Sequence, residues 1–235
     1  MIDAYSEIGM RNANQDAYLT ASVMAGGMNV EVFHHNDLEK YETNSSLPDG
    51  TIILLVADGM GGLENGEKAS YLTVVRFLDF IESNNDPTSE YDWTIEKSLL
   101  ELSEDVSRGA PGAGSTIVGV VIIEGSTYVF NVGDSKCIIH ARDEYITTKD
   151  HVYGEALQSN IITDYMGMEG QPNIHMEVYD YVIDNAILFS DGLNQSYICH
   201  GEDICTIDLG AKALCDESVE MGSTDNITCI KYSKI

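Results

Sequence analysis

The stretch Thr51–Gly62, TIILLVADGMGG, is an unbroken apolar run that ends on a carboxylate and then places three glycines among four residues. An apolar run this short, without alternation, reads as a β-strand covered on both faces. Asp58 then sits at the mouth of a buried strand. A turn needs one or two glycines, so Gly59, Gly61 and Gly62 together imply that something approaches this backbone closely.

On the N-terminal side, residues 17–24 and 28–34 read as strands around the turn AGG (25–27), and 36–50 reads as a polar loop. On the C-terminal side, Glu64 to Glu82 turns helical, with Tyr71, Val74, Val75, Leu78 and Ile81 on one stripe. A second helix follows SNNDP, with Ile95, Leu99, Leu102 and Val106 inward; Asp92 or Thr88 is the expected cap. Strands are expected at 115–123, 127–132, 136–141 and 144–147. An irregular segment covers 150–173, with further strands at 175–182 and 186–190, a helix near 202–216 and a last strand at 226–232. There is no internal repeat and no linker, so residues 1–235 read as one domain. Its α+β class is that of helices over a largely antiparallel core.

The chain has 235 residues, 39 of them acidic and 12 basic, for a net charge of −27. That charge repels a phosphate backbone and argues against nucleic-acid binding. The longest apolar runs, IILLVA and VGVVII, are too short for a membrane span, and the N-terminal residues carry no secretory pattern. Five cysteines form no CxxC pair and fit reduced core thiols, so the expected location is the cytoplasm. His34 and His35 are adjacent and point to opposite faces of a strand, so they make poor chelators.

Carboxylates recur at strand ends. Asp58 ends IILLVA, Asp134 follows TYVFNV, Asp191 follows AILF, Asp225 precedes the last strand, and Asp16 precedes the first expected strand. Taken singly, each DG or TDN is more often a turn or helix cap than a ligand. Together, carboxylates held close would raise one another's pKa values, a conflict that divalent cations remove. Oxygen-only ligation suits Mg²⁺ or Mn²⁺. DGMGG could otherwise cradle an anion, but it lacks the lysine of a nucleotide-binding loop.

In order, SEIGMRNANQD, VADGMGG, GAGSTIVGVVI, VFNVGDSK, LFSDGL and STDNITCI resemble the motifs of the metal-dependent Ser/Thr protein phosphatases of the phosphatase 2C (PPM) family, most closely its compact bacterial branch. The resemblance implies a four-layer α-β-β-α sandwich with two central, mainly antiparallel sheets, and a cleft holding two or three Mn²⁺ or Mg²⁺ ions. By motif position Asp58 would bridge two ions, with the Gly59 carbonyl oxygen on one. Asp191 and Asp225 would bind the other, and Asp134 with Asp191 a third. Asp16, Gln15 and Asn226 would lie in the outer shell, Asn226 orienting Asp225 or else capping its turn. Arg11, in an RxxxxD register with Asp16, would anchor the substrate phosphate through its fork. The nucleophile would be a water bridging the metals, and the substrate a phosphoserine or phosphothreonine protein, the target of a Ser/Thr kinase or the kinase itself.

Several positions depart from the pattern. Gln15 stands where many members have Glu, Met60 where some have a histidine proposed as general acid, and Lys136 where arginine is usual, which predicts a missing guanidinium contact. Residues 150–173 would form a shortened flap. One rival reading is a pseudophosphatase that uses the fold for binding or regulation, but Asp58, Asp191 and Asp225 are all present. An acidic Ca²⁺-binding protein would need DxDxDG loops, and none occurs.

Overall fold

A computed structural model describes residues 1–61, 63–86, 90–142, 144–153, 161–193 and 208–234. The run Thr51–Ala57 becomes the inner strand β5 (Ile52–Met60), and its side chains divide by parity. Ile53, Leu55 and Ala57 enter one core with Phe77, Leu99 and Phe130, whereas Leu54 and Val56 enter another with Val118, Val120 and Ile230. Both faces are covered, which is why apolar residues do not alternate with polar ones.

β5 lies in a sheet ordered β11-β8-β7-β5-β2-β3-β4, with β6 (Gly114–Ser115) on the end of β5. The other members are β2 (Asp16–Met24), β3 (Gly27–His34), β4 (Asp37–Asn44), β7 (Ile117–Ile123), β8 (Ser126–Val132) and β11 (His175–Tyr179). A second sheet runs β1-β13-β12-β9-β10. It contains β1 (Ile2–Glu7), β9 (Lys136–Ala141), β10 (Glu144–Thr147), β12 (Asn185–Phe189) and β13 (Ile227–Ser233). Every strand pair is antiparallel.

Helices α1 (Leu63–Ser83) and α2 (Tyr91–Gly109) close the first core from outside. The second core lies between the sheets. A third packs α3 (Ala211–Glu220) through Leu214 and Cys215 against Phe189, Ile227 and Cys229. The layers are therefore helix pair, sheet, sheet, helix, the expected α-β-β-α sandwich, with α3 the helix among the described residues that covers the second sheet.

Several expectations change. β1 was missed in the sequence, where 17–24 stood as the first strand; it pairs with β13 from Ile2↔Tyr232 to Glu7↔Ile227. The polar loop 36–50 contains β4, exposed along its whole length and held by its ladder to β3. Neither Asp92 nor Thr88 is seen capping α2: the N-cap is Glu90 with no side-chain cap, Asp92 lies in the first turn, and Thr88 is outside the described residues. The strand expected to reach 182 stops at Tyr179. The late helix starts nine residues beyond the expected 202, and residues 202–207 are outside the described ones. Asp3 Oδ2 accepts the Ala211 N–H at 2.8 Å, so α3 is capped from β1. The turn AGG is tighter than expected: Ala25 and Gly26 both have positive φ and link β2 directly to β3, the primed geometry that suits hairpins.

Candidate metal centre and phosphate site

The sandwich brings one end of each sheet together. Asp16 opens β2 and faces Asp58 of β5 across the ladder. Asp134 follows β8, Asp191 follows β12, and Asp225 precedes β13. Asp58 feels all of them: its carboxyl is held well above the usual range by burial first, then by the charges of Asp16, Asp191, Asp225 and Asp134. Asp16 is pushed up to about 7, again by burial first and with Asp225 adding to it, against the lowering hydrogen bonds of Thr228 and Ser190. Asp134 is raised by burial and then by Asp150.

Hydroxyls that carried no signal in the sequence fix these groups. Asp16 Oδ2 accepts from Ser190 Oγ at 2.8 Å and Thr228 Oγ1 at 2.7 Å, and Thr228 Oγ1 shares a 2.7 Å bond with Ser6 Oγ. The Asp58 N–H donates to Thr116 Oγ1 at 2.9 Å, and that hydroxyl bonds Ser135 Oγ at 2.7 Å. The Ser223 hydroxyl donates to Gly192 O at 2.9 Å, which seats the turn that carries Asp191. The only hint in sequence is a small hydroxyl residue beside each motif: GST, GDS, FSD and STDNIT.

Gly59 meets the close approach that the glycine run implied. A Cβ there would lie 2.1 Å from Gly66 O and 2.8 Å from Gln15 O, so the start of α1 and the Gln15 loop press on this backbone. The Gly59 N–H also donates to Gln15 O at 3.1 Å. Gln15 Nε2 reaches Gly61 O at 3.4 Å, which ties the same loop to the glycine turn.

Asn226 ties the loop before β2 to the Asp225 turn. Its own N–H donates to Asp225 Oδ1 at 2.8 Å, while its side chain accepts the Gln15 N–H and donates to Ile8 O and Ala13 O, each at 2.9 Å. That clamp holds the 8–15 loop, and with it Arg11. The guanidinium lies on Asp225 Oδ2 at 2.5 Å, is 55% exposed, and feels Asp58 and Asp191 as well. Lys136 also has a contact that the sequence did not suggest: its ammonium is buried against Asp150. Met60, at the end of β5, offers no proton.

A hard cation fits this donor set. Asp16 Oδ1 and Asp134 Oδ1 are buried carboxylate oxygens without a hydrogen-bond donor, and the surrounding donors are all oxygen. Among the described residues no group of three acidic, histidine or cysteine side chains is placed so as to hold a metal ion by itself. An ion here would complete its shell with water and backbone oxygen, as Mg²⁺ commonly does.

A protein phosphatase 2C family model matches residues 41–219, more than half of the chain. The chain belongs to the protein phosphatase 2C family. With membership comes the activity class: this phosphatase performs metal-dependent hydrolysis of phosphoserine and phosphothreonine in proteins. A Streptococcus pyogenes protein of phosphatase 2C type is 29% identical over 216 residues, 76% of this chain and 84% of its own. The serine/threonine phosphatase stp of Listeria innocua is 25% identical over 229 residues, 84% and 89% of the two chains. The structure of the Streptococcus agalactiae serine/threonine phosphatase matches with a TM-score of 0.68 over 100% of this chain and 99% of that one, at 22% identity, and supports the fold.

The raised carboxylates set a pH dependence. An unfolded aspartate titrates near ~3.9, whereas Asp16 titrates at about 7 and Asp58 well above its usual range. Between those limits the folded, metal-free protein holds more protons than the unfolded chain. The stabilising contribution is complete below the unfolded value and is lost as pH rises through the folded one. Divalent ions held by the deprotonated cluster would reverse that loss. Thermal melts with and without Mn²⁺ should therefore show a larger metal-induced rise in Tm at about pH 8 than at about pH 5.5. An equal rise at both would contradict the assignment.

Proposed function

We propose that the phosphatase activity resides at this acidic mouth, with Asp58, the Gly59 carbonyl, Asp191 and Asp225 holding two Mn²⁺ or Mg²⁺ ions and Asp134 with Asp191 a third. The observation that carries the reading is the convergence on Asp58 of four other carboxylates from both sheets, an arrangement that costs stability unless cations occupy it. When bound, such ions supply Lewis-acid activation of water and neutralise phosphate charge.

The chain's own residues do the rest. Asp16, fixed by Ser190 and Thr228, would accept hydrogen bonds from water in the outer shell of the site. Arg11 binds the substrate phosphate. Its pairing with Asp225 keeps the guanidinium at the mouth, where the fork would be free for phosphate when Asp225 serves as a ligand. Among the described residues, burial pushes the Cys215 and Cys229 thiols well up, away from the reactive thiolate. Residues 1–235 act as one catalytic unit on phosphoproteins, in opposition to a Ser/Thr kinase or on the kinase itself. Cys215 and Cys229 are free and buried, which suits the reducing cytoplasm. Among the described residues no helix is long and apolar enough to cross a membrane.

The test is hydrolysis of a phosphothreonine peptide with and without Mn²⁺, with a phosphotyrosine peptide as control. Metal-dependent turnover that Asp191→Asn abolishes supports the reading. A folded protein that binds Mn²⁺ but turns nothing over would instead be a binding module. Arg11→Ala should lower kcat/KM by about 10-fold or more, mainly through KM, and weaken inhibition by inorganic phosphate. Unchanged KM would remove Arg11 from the phosphate site.

A further inference from the structure

The turn that carries Asp134 is clasped by the segment after β10. The His151 N–H donates to Gly133 O at 2.8 Å, and the Gly133 N–H donates to His151 Nδ1 at 3.2 Å. Farther along, the Thr148 N–H donates to Cys137 O at 2.9 Å, so the two segments run antiparallel and set Asp150 opposite Asp134. Asn131 Nδ2 fastens the clasp through Lys149 O at 2.9 Å.

Within it lies a buried ion pair. Lys136 Nζ meets Asp150 Oδ2 at 2.5 Å, and the Asp150 side chain is only 9% exposed. Asp150 Oδ1 is buried with no hydrogen-bond donor, and so is Asp134 Oδ1. A guanidinium at position 136 could take both carboxylate oxygens in a fork, whereas an ammonium is a point charge that can satisfy one and leave the other. A buried carboxylate oxygen left unsatisfied next to a second one is costly unless a cation or its water completes it.

We propose that Asp150 is a second carboxylate of the Asp134 cation site, a positioning residue whose Oδ2 is fixed by Lys136 and whose Oδ1 receives the ion's water shell. The proposal rests on the metal-centre reading above and adds a residue to it. Its rival is a clasp with a purely structural role, in which Lys136 and Asp150 matter equally and only for stability.

The experiment is a Mn²⁺ titration of the whole protein, followed by calorimetry and by the Mn²⁺ electron-spin-resonance signal, on the parent and on Asp134→Asn, Asp150→Asn and Lys136→Met. The expected result is that Asp150→Asn weakens the weakest Mn²⁺ step at least about 10-fold, as Asp134→Asn does. The double Asp134→Asn/Asp150→Asn variant should lose little more. Lys136→Met, which keeps the carboxylate, should leave that step within about threefold.

The proposal is overturned if Asp150→Asn leaves the weak step unchanged, if Lys136→Met weakens it equally, or if no step weaker than the Asp58–Asp225 binding exists. Should either single variant fail to fold, Lys136→Met/Asp150→Asn removes the pair without stranding a charge: loss of the weak step supports the proposal, and retention overturns it. A parent protein that binds no Mn²⁺ at all would sink the metal-centre reading itself. Tight binding with a weak step indifferent to Asp150 would sink the present inference alone.

Discussion

Asp58→Asn is expected to lower metal-dependent hydrolysis of a phosphothreonine peptide by about 10²–10³-fold or more, and at the same time to raise the Tm of the metal-free protein. The two effects have one cause. Asp58 is held far above its usual range by burial and by Asp16, Asp191, Asp225 and Asp134, so its ionised form opposes folding at neutral pH. Asparagine keeps the shape and removes the charge. Without metal the variant is relieved of repulsion; with metal it lacks the ligand that the other carboxylates surround. Differential scanning in EDTA and in Mn²⁺ separates the two effects, and the Mn²⁺-induced rise in Tm should shrink sharply. A variant less stable than its parent in EDTA would show that the carboxylate is satisfied by protein contacts rather than in conflict with its neighbours.

Gly59→Ala should be strongly damaging for a single added methyl. Its Cβ would lie 2.1 Å from Gly66 O, 2.6 Å from Gly66 C and 2.8 Å from Gln15 O, all backbone atoms that no rotamer change can move. Relief requires shifting the start of α1 or the 8–15 loop, and both carry groups of the site. A cost of about 3 kcal/mol, the upper range for overpacking, corresponds to a fall in Tm of about 6–12 °C for a chain of this size. Gly26→Ala is the control: φ is +75° there but nothing lies within 4 Å of an added Cβ, so only the left-handed backbone costs, about 1 kcal/mol. Equal losses for the two would mean that backbone conformation, not the approach of α1, dictates the glycine.

The inner strands and both long helices were legible because their burial is written in local patterns. β5 and β7 are apolar on both faces, and the stripe Val74, Leu78 and Ile81 has helical spacing. β1 and β4 were not legible. IDAYSE and DLEKYETN carry too few apolar residues to mark a strand, and their pairing comes from β13 and β3. The Asp16, Asp58, Asp134, Asp191 and Asp225 set could be read from strand ends. Its supports could not: the hydroxyls of Ser190, Thr228, Thr116 and Ser135 act through contacts 19 to 212 residues apart. The Lys136–Asp150 and Arg11–Asp225 pairs likewise exist only once distant segments meet.

Anomalous diffraction from crystals grown with Mn²⁺, recorded at the manganese edge, addresses the central assignment most directly. The expected map has strong peaks between Asp58 and Asp225 and beside Asp191, with the Arg11 guanidinium withdrawn from Asp225. A map with no peak there, and Arg11 still paired to Asp225 at saturating Mn²⁺, would contradict it.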